Sequence, residues 1–140
     1  MTFLGGLLLW SALSLVAGQS PPSLDSIKAE SDPAHRAEHA LALAETEFDS
    51  AHDAYLKGDI HTGDDRLDEM SKALDETVAS LQKTHKTRLY KRAEMRVAHL
   101  QRRLSGLIDE INIEQRSWAE QIGRHLAEVH DKLLQGALGK

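Results

Sequence analysis

Residues 33–57 read PAHRAEHALALAETEFDSAHDAYLK. Ala37, Leu41, Ala44, Phe48, Ala51 and Tyr55 follow one another at spacings of 4, 3, 4, 3 and 4. An α-helix turns once every ~3.6 residues, so these six side chains share one face and predict a helix over this whole stretch. Asp32-Pro33 is a helix start. The Asp carboxylate can accept from the first free backbone N–H groups, and proline has no N–H to leave unpaired at the first helical position. Gly58-Asp59 ends the run.

The same period recurs three times downstream. Leu67, Met70, Leu74, Val78 and Leu81 predict a second helix from Ile60 or Thr62 to about Lys83, with Asp64 and Asp65 near its positive N-terminal end. Thr84–Arg88 is a weak break. Leu89, Ala93, Val97, Leu100, Leu104, Leu107 and Ile108 predict a third helix from Leu89 to Asp109, with Gly106 inside it. Asn112, followed by Gln115 three residues on, reads as the cap of a fourth helix, Ile113 to Gln135, with Trp118, Ile122, Leu126, Val129 and Leu133 on its stripe. No stretch alternates apolar and polar residues as a half-buried strand does. The expected fold class is all-α: an antiparallel up-down bundle of four helices with short loops, a three-helix bundle with one loose helix being the alternative.

Upstream of the bundle, residues 1–20 are MTFLGGLLLWSALSLVAGQS. Phe3–Val16 is an apolar run of 14 positions. That suits a signal-peptide core and falls short of the roughly 20 residues of a membrane-spanning helix. Val16-Ala17-Gly18 fits a small-x-small cleavage pattern, so the expected organisation is a signal peptide at 1–18, a flexible mature N-terminus at 19–32 and a helical domain at 33–140. No Lys or Arg precedes the apolar run. The implied compartment is periplasmic or extracellular, with no membrane span after cleavage. The chain has no cysteine, which excludes disulfides, thiolate metal sites and a lipid-acceptor cysteine.

Charge is unevenly spread. Residues 19–81 carry 15 Asp and Glu against 5 Lys and Arg, a net of −10. Residues 82–104 carry 8 Lys and Arg against Glu94 alone, a net of +7, inside a chain of formal charge −5. Lys91, Arg92, Arg96, Arg102 and Arg103 are therefore candidate contacts for an anionic polymer, lipid head groups or an acidic partner. The competing reading is internal: the acidic first two helices neutralise them. An acidic chain with few aromatics near its basic run does not suit nucleic acid.

His35 and His39 lie four apart on the first helix, with Glu38 beside them. Two imidazoles one turn apart can face one zinc, copper or nickel ion, although a structural zinc site needs about four ligands. Asp49 and His52 form a weaker pair. No cysteine nucleophile, Gly-x-Ser-x-Gly elbow, phosphate-binding glycine loop or His-Glu-x-x-His is present, so catalysis has no signature here.

Two resemblances go with these residues. Ala51–Leu74 resembles part of a tetratricopeptide repeat: Gly58-Asp59 falls at the turn, and Ala51 and Gly63 are small where the two helices approach. It departs from the repeat at Met70, usually alanine, and at Asp75, usually the terminating proline. The Ala54–Asp59 turn, the Tyr90–Glu94 segment and the Glu128–Gly136 ending resemble small secreted bacterial helical proteins of unknown function. That resemblance implies export and carries no activity. The resulting expectation is a non-enzymatic exported bundle that acts on an unknown protein partner or as an envelope accessory. A transition-metal binder, an anionic-surface binder and a homodimer are the further possibilities.

Overall fold

A computed structural model describes residues 22–140. The expected signal peptide at 1–18 lies outside the described residues. Among those described, 84% are helical and none is in a strand. Five α-helices follow one another: α1 Leu24–Lys28, α2 Pro33–Leu56, α3 Ile60–Gln82, α4 Thr87–Glu110 and α5 Ser117–Ala137. A single 3-10 turn, Ile113–Gln115, precedes α5.

The helix starts and stops follow local chemistry. The Asp32 carboxylate accepts from the Ala34 N–H at 3.0 Å, and Pro33 opens α2. Gly58 has φ +79, a left-handed conformation that costs glycine little and lets the chain reverse at once. The Asp59 side chain then accepts from the Thr62 N–H at 3.2 Å to begin α3. Every stripe residue expected on α2 and α3 is buried, from Ala37 to Tyr55 and from Leu67 to Leu81.

Two segments depart from the sequence expectation. The sequence predicts a flexible N-terminus at 19–32, yet Leu24–Lys28 forms α1. Its serines cap instead of break: Ser23 Oγ accepts from the Ser26 N–H at 3.2 Å, and the Ser26 hydroxyl donates to the Ser23 carbonyl at 2.8 Å. Ile27 is wholly buried, and α1 is tied to α2 by Arg36, which donates to the Glu30 carbonyl at 2.7 Å, and by the His39–Glu30 pair at 2.5 Å. The fourth long helix starts at Ser117, not Ile113. Asn112 caps only the 3-10 turn, because burying Ile111 leaves Ile113 facing solvent, 71% exposed.

The long helices form two antiparallel hairpins. In the first, Arg36 meets Glu76 and Ser80 near the open end, Glu47 meets Arg66 midway, and Tyr55 meets Asp64 at the turn. In the second, Tyr90 lies near Gly136, Glu94 near His130, and Ile108 near Gly123. Consecutive helices reverse direction, as an up-down bundle requires. The stacking of the hairpins is different from a ring in chain order. Residue numbers rise together where α4 lies on α2 (Arg96 with Glu38 and Glu45, Arg103 with Asp49), so these helices are parallel. The same holds for α3 and α5, where Asp75 meets His125 and Gln82 lies near Lys132. The chain-consecutive pair α3 and α4 lies across the bundle diagonal and shares little contact.

One core unites both hairpins, with Phe48, Leu67, Met70, Leu74, Leu100, Leu104, Leu126 and Leu133 almost completely buried. Two aromatic rings close its edges against glycine. A Cβ on Gly63 would lie 2.8 Å from the Tyr55 ring, and one on Gly136 would overlap the Tyr90 ring. Burial pushes both phenols above the usual tyrosine range, and for Tyr55 the hydrogen bond to Asp64 and that carboxylate's charge push further.

Two measurements check this packing. Gly63→Ala and Gly136→Ala should destabilise the fold, because each methyl meets a ring held by its surroundings. Gly106→Ala, with nothing within 4 Å of its Cβ, should stabilise α4 by roughly 1 kcal/mol. Urea unfolding of the three variants tests the contrast. A folded-state tyrosine pKa above its unfolded value of about 10 contributes stability that is complete below that pH and is lost as pH rises beyond it. Phenolate absorbance should therefore appear together with loss of helical circular dichroism, well above pH ~10, and not as a separate earlier titration.

Candidate functional site

The α4 helix carries most of the basic segment, and the packing divides its cations into two sets. Leu89, Ala93, Val97, Leu100, Leu104 and Leu107 face the core. Arg96 and Arg103 flank that stripe on the side where α2 lies. Arg96 donates from Nη1 to Glu38 Oε1 at 2.8 Å and from Nη2 to Glu45. Burial works against the Arg96 charge, but the bonds to Glu45 and Glu38 outweigh it and raise its pKa. Arg103 donates to Asp49 Oδ1 at 2.6 Å, and its guanidinium lies 4.5 Å from the centre of the Phe48 ring. Two of the five cations singled out in the sequence thus join the hairpins, as the internal reading anticipated.

The other three stay in solvent. Lys91, Arg92 and Arg102 are exposed and have no ion-pair partner among the described residues. Arg88, Met95 and His99 continue their row at helical spacing, all of them exposed. From Arg88 to Arg102 this outer stripe is about 21 Å long at 1.5 Å per residue. The start of α4 extends it. Lys86 is the N-cap residue and makes no side-chain capping bond, and the first turn has no acidic residue. Cations at the positive end of a helix are unfavourable by roughly 0.3–1 kcal/mol each. By contrast, α2 and α3 are each capped by an aspartate.

The up-down course of the helices also gathers the chain's turns by charge. The turn between α2 and α3 and the link between α4 and α5 lie at one end. There, residues 53–65 carry a net of −3 and residues 109–120 another −3. The turn between α3 and α4 and the C-terminus of α5 lie at the other. Residues 83–92 carry five cations and no carboxylate, and residues 132–140 add Lys132 and Lys140. The carboxylate of Asp32, which also reaches this end, is engaged as the α2 cap and by His35 at 3.4 Å. The molecule is therefore polarised along its axis. The sequence shows the basic segment, but not the coincidence of the two acidic turns, which are about fifty residues apart.

The proposed metal ligands are not brought together with a third. The His35 and His39 rings stack, with centroids 6.4 Å apart. His35 Nδ1 faces Asp32 at 3.4 Å and His39 Nδ1 faces Glu30 at 2.5 Å. Glu38, the expected helper, is bound by Arg96 instead. Asp49 likewise goes to Arg103, away from His52. Among the described residues no group of three or more His, Asp or Glu side chains converges to hold a metal ion.

Replacing the two sets of cations separates their roles. Arg96→Met should destabilise the bundle by roughly 1 kcal/mol, because water takes over much of the bonding to the partly exposed Glu38 and Glu45. Arg92→Met should stay within about 0.5 kcal/mol of the parent. Chemical denaturation curves give both values. No family model matches the chain, and no curated protein or solved structure matches it either.

Proposed function

We propose that this chain is a non-enzymatic interaction protein, exported by its N-terminal leader, that binds an acidic partner through the outer face of α4 and the adjoining basic end. The observation that carries this reading is the start of α4. Five cations between Lys83 and Arg92 stand without a carboxylate, and Lys86 and Arg88 sit at the positive end of a helix dipole. The fold derives no stability from that arrangement and loses some to repulsion. Acidic residues abound elsewhere in the chain and are used to neutralise Arg96 and Arg103, yet none is spent here. A local conflict of this kind is characteristic of a surface shaped by its ligand.

The test uses the sign of the whole protein. A chain of net charge −5 should nonetheless be retained on a polyanionic resin at low salt, and released as ionic strength shortens the screening length below about 10 Å. The triple variant Arg88→Glu, Lys91→Glu, Arg92→Glu should flow through while unfolding at a higher temperature than the parent, since Arg88→Glu puts an acid at the helix N-terminus. Flow-through of the parent at low salt, or unchanged retention of the variant, would rule the reading out.

A further inference from the structure

The basic end has a second property that a lipid surface uses. Leu134, in the last turn of α5, is 40% exposed, and Leu138, its C-cap residue, is 63% exposed. They share an end of the bundle with the α3–α4 turn. The Tyr90 ring lies against Gly136, and His85, Thr87, Gly139 and Lys140 line one groove. The exposed leucines thus share this end with the cations of residues 83–92 and with Lys132 and Lys140, Asp131 being the one carboxylate within a helical turn of Leu134. Cations that reach phosphate beside apolar side chains that enter the acyl boundary are what hold a protein at an anionic membrane interface.

Resting on the binding surface proposed above, we infer that the bundle docks end-on upon a bilayer of anionic phospholipid, with the α3–α4 turn and the α5 C-terminus against the head groups. Charge geometry decides the pose. A helix of 24 residues is about 36 Å long, so the acidic end stands more than three screening lengths away at ~0.1 M salt. The net negative charge therefore does not oppose binding, and repulsion of the acidic end holds the long axis upright. Arg88, Lys91 and Arg92 lie within the first two turns of α4, and Arg102 lies about 21 Å beyond Arg88. An end-on pose uses the first three and leaves Arg102 clear of the surface.

Co-sedimentation of the full chain with vesicles of phosphatidylglycerol in phosphatidylcholine tests this, with pure phosphatidylcholine vesicles as the background that includes whatever residues 1–21 contribute. Affinity for the anionic vesicles should exceed the background about tenfold or more, and the Arg88, Lys91 and Arg92 reversal should return it to background. Leu134→Ser with Leu138→Ser should weaken vesicle binding and leave retention on the polyanionic resin unchanged. Arg102→Glu should change vesicle binding less than about twofold. Equal binding to both vesicle types overturns the inference, as does indifference to the leucine pair, or a loss with Arg102→Glu as large as with Arg88→Glu. Resin retention without vesicle binding, or salt-sensitive self-association without it, overturns the lipid surface while leaving an acidic partner in place. Loss of both forms of binding ends both. Circular dichroism of every variant separates these outcomes from unfolding.

Discussion

The Arg96 guanidinium donates to Glu38 and Glu45 together, two carboxylates seven residues apart on α2. Two helical hairpins with similar apolar faces can be stacked with α4 on α2 or with α4 on α3, and either arrangement buries leucine. Hydrophobic burial is non-directional and supplies energy to both. The ion pairs that form are those of α4 on α2. Arg103 with Asp49 and Phe48 adds a second set two turns further on. Partly exposed ion pairs contribute little stability individually, but they fix which polar surfaces meet beside a core whose burial has no direction.

The arrangement of the two ends follows from the up-down course of the chain. Because consecutive helices reverse, the α2–α3 turn and the α4–α5 link come to one end, and their aspartates and glutamates form an acidic pole. The α3–α4 turn is left at the opposite end with cations alone. The helix that joins the hairpins also divides its own charges: Arg96 and Arg103 are paired with α2, while Arg88, Lys91, Arg92 and Arg102 remain exposed. Binding and folding draw on the same segment without sharing side chains. The starts of α4 and α5 both lack a side-chain cap, at Lys86 and Arg116, but α5 has Glu120 in its first turn and α4 has no acid there, which is unfavourable at a positive helix end.

The four apolar stripes were readable because helical periodicity is a local property. The contacts that bury Phe48, Leu74, Leu100 and Leu126 are tertiary, but the spacing that puts each on its helix's apolar face is set by backbone geometry alone. The stop at Gly58 was readable for the same reason. Residues around Asn112 were not, because an asparagine caps a 3-10 turn and an α-helix with the same side-chain geometry, and the burial of Ile111 decides which follows. The α1 helix was missed because a single isoleucine has no period, and Ile27 becomes a core residue only when α2 lies beneath it. The histidines were misleading for a related reason: sequence spacing shows that His35 and His39 are near one another, but not that Glu38 has turned to Arg96.

By itself, then, the sequence determined that the chain folds as helices, where most of them begin and end, which faces they bury, and that one segment is strongly basic. These are consequences of spacing along the backbone and of the chemistry of single side chains. Tertiary structure alone decided that α4 lies on α2 and α5 on α3, and that Arg96 and Arg103 are consumed while Lys91, Arg92 and Arg102 are not. The reason is physical. Charge pairing depends on which surfaces meet, and residues fifty positions apart meet only through a shared core whose driving force carries no direction.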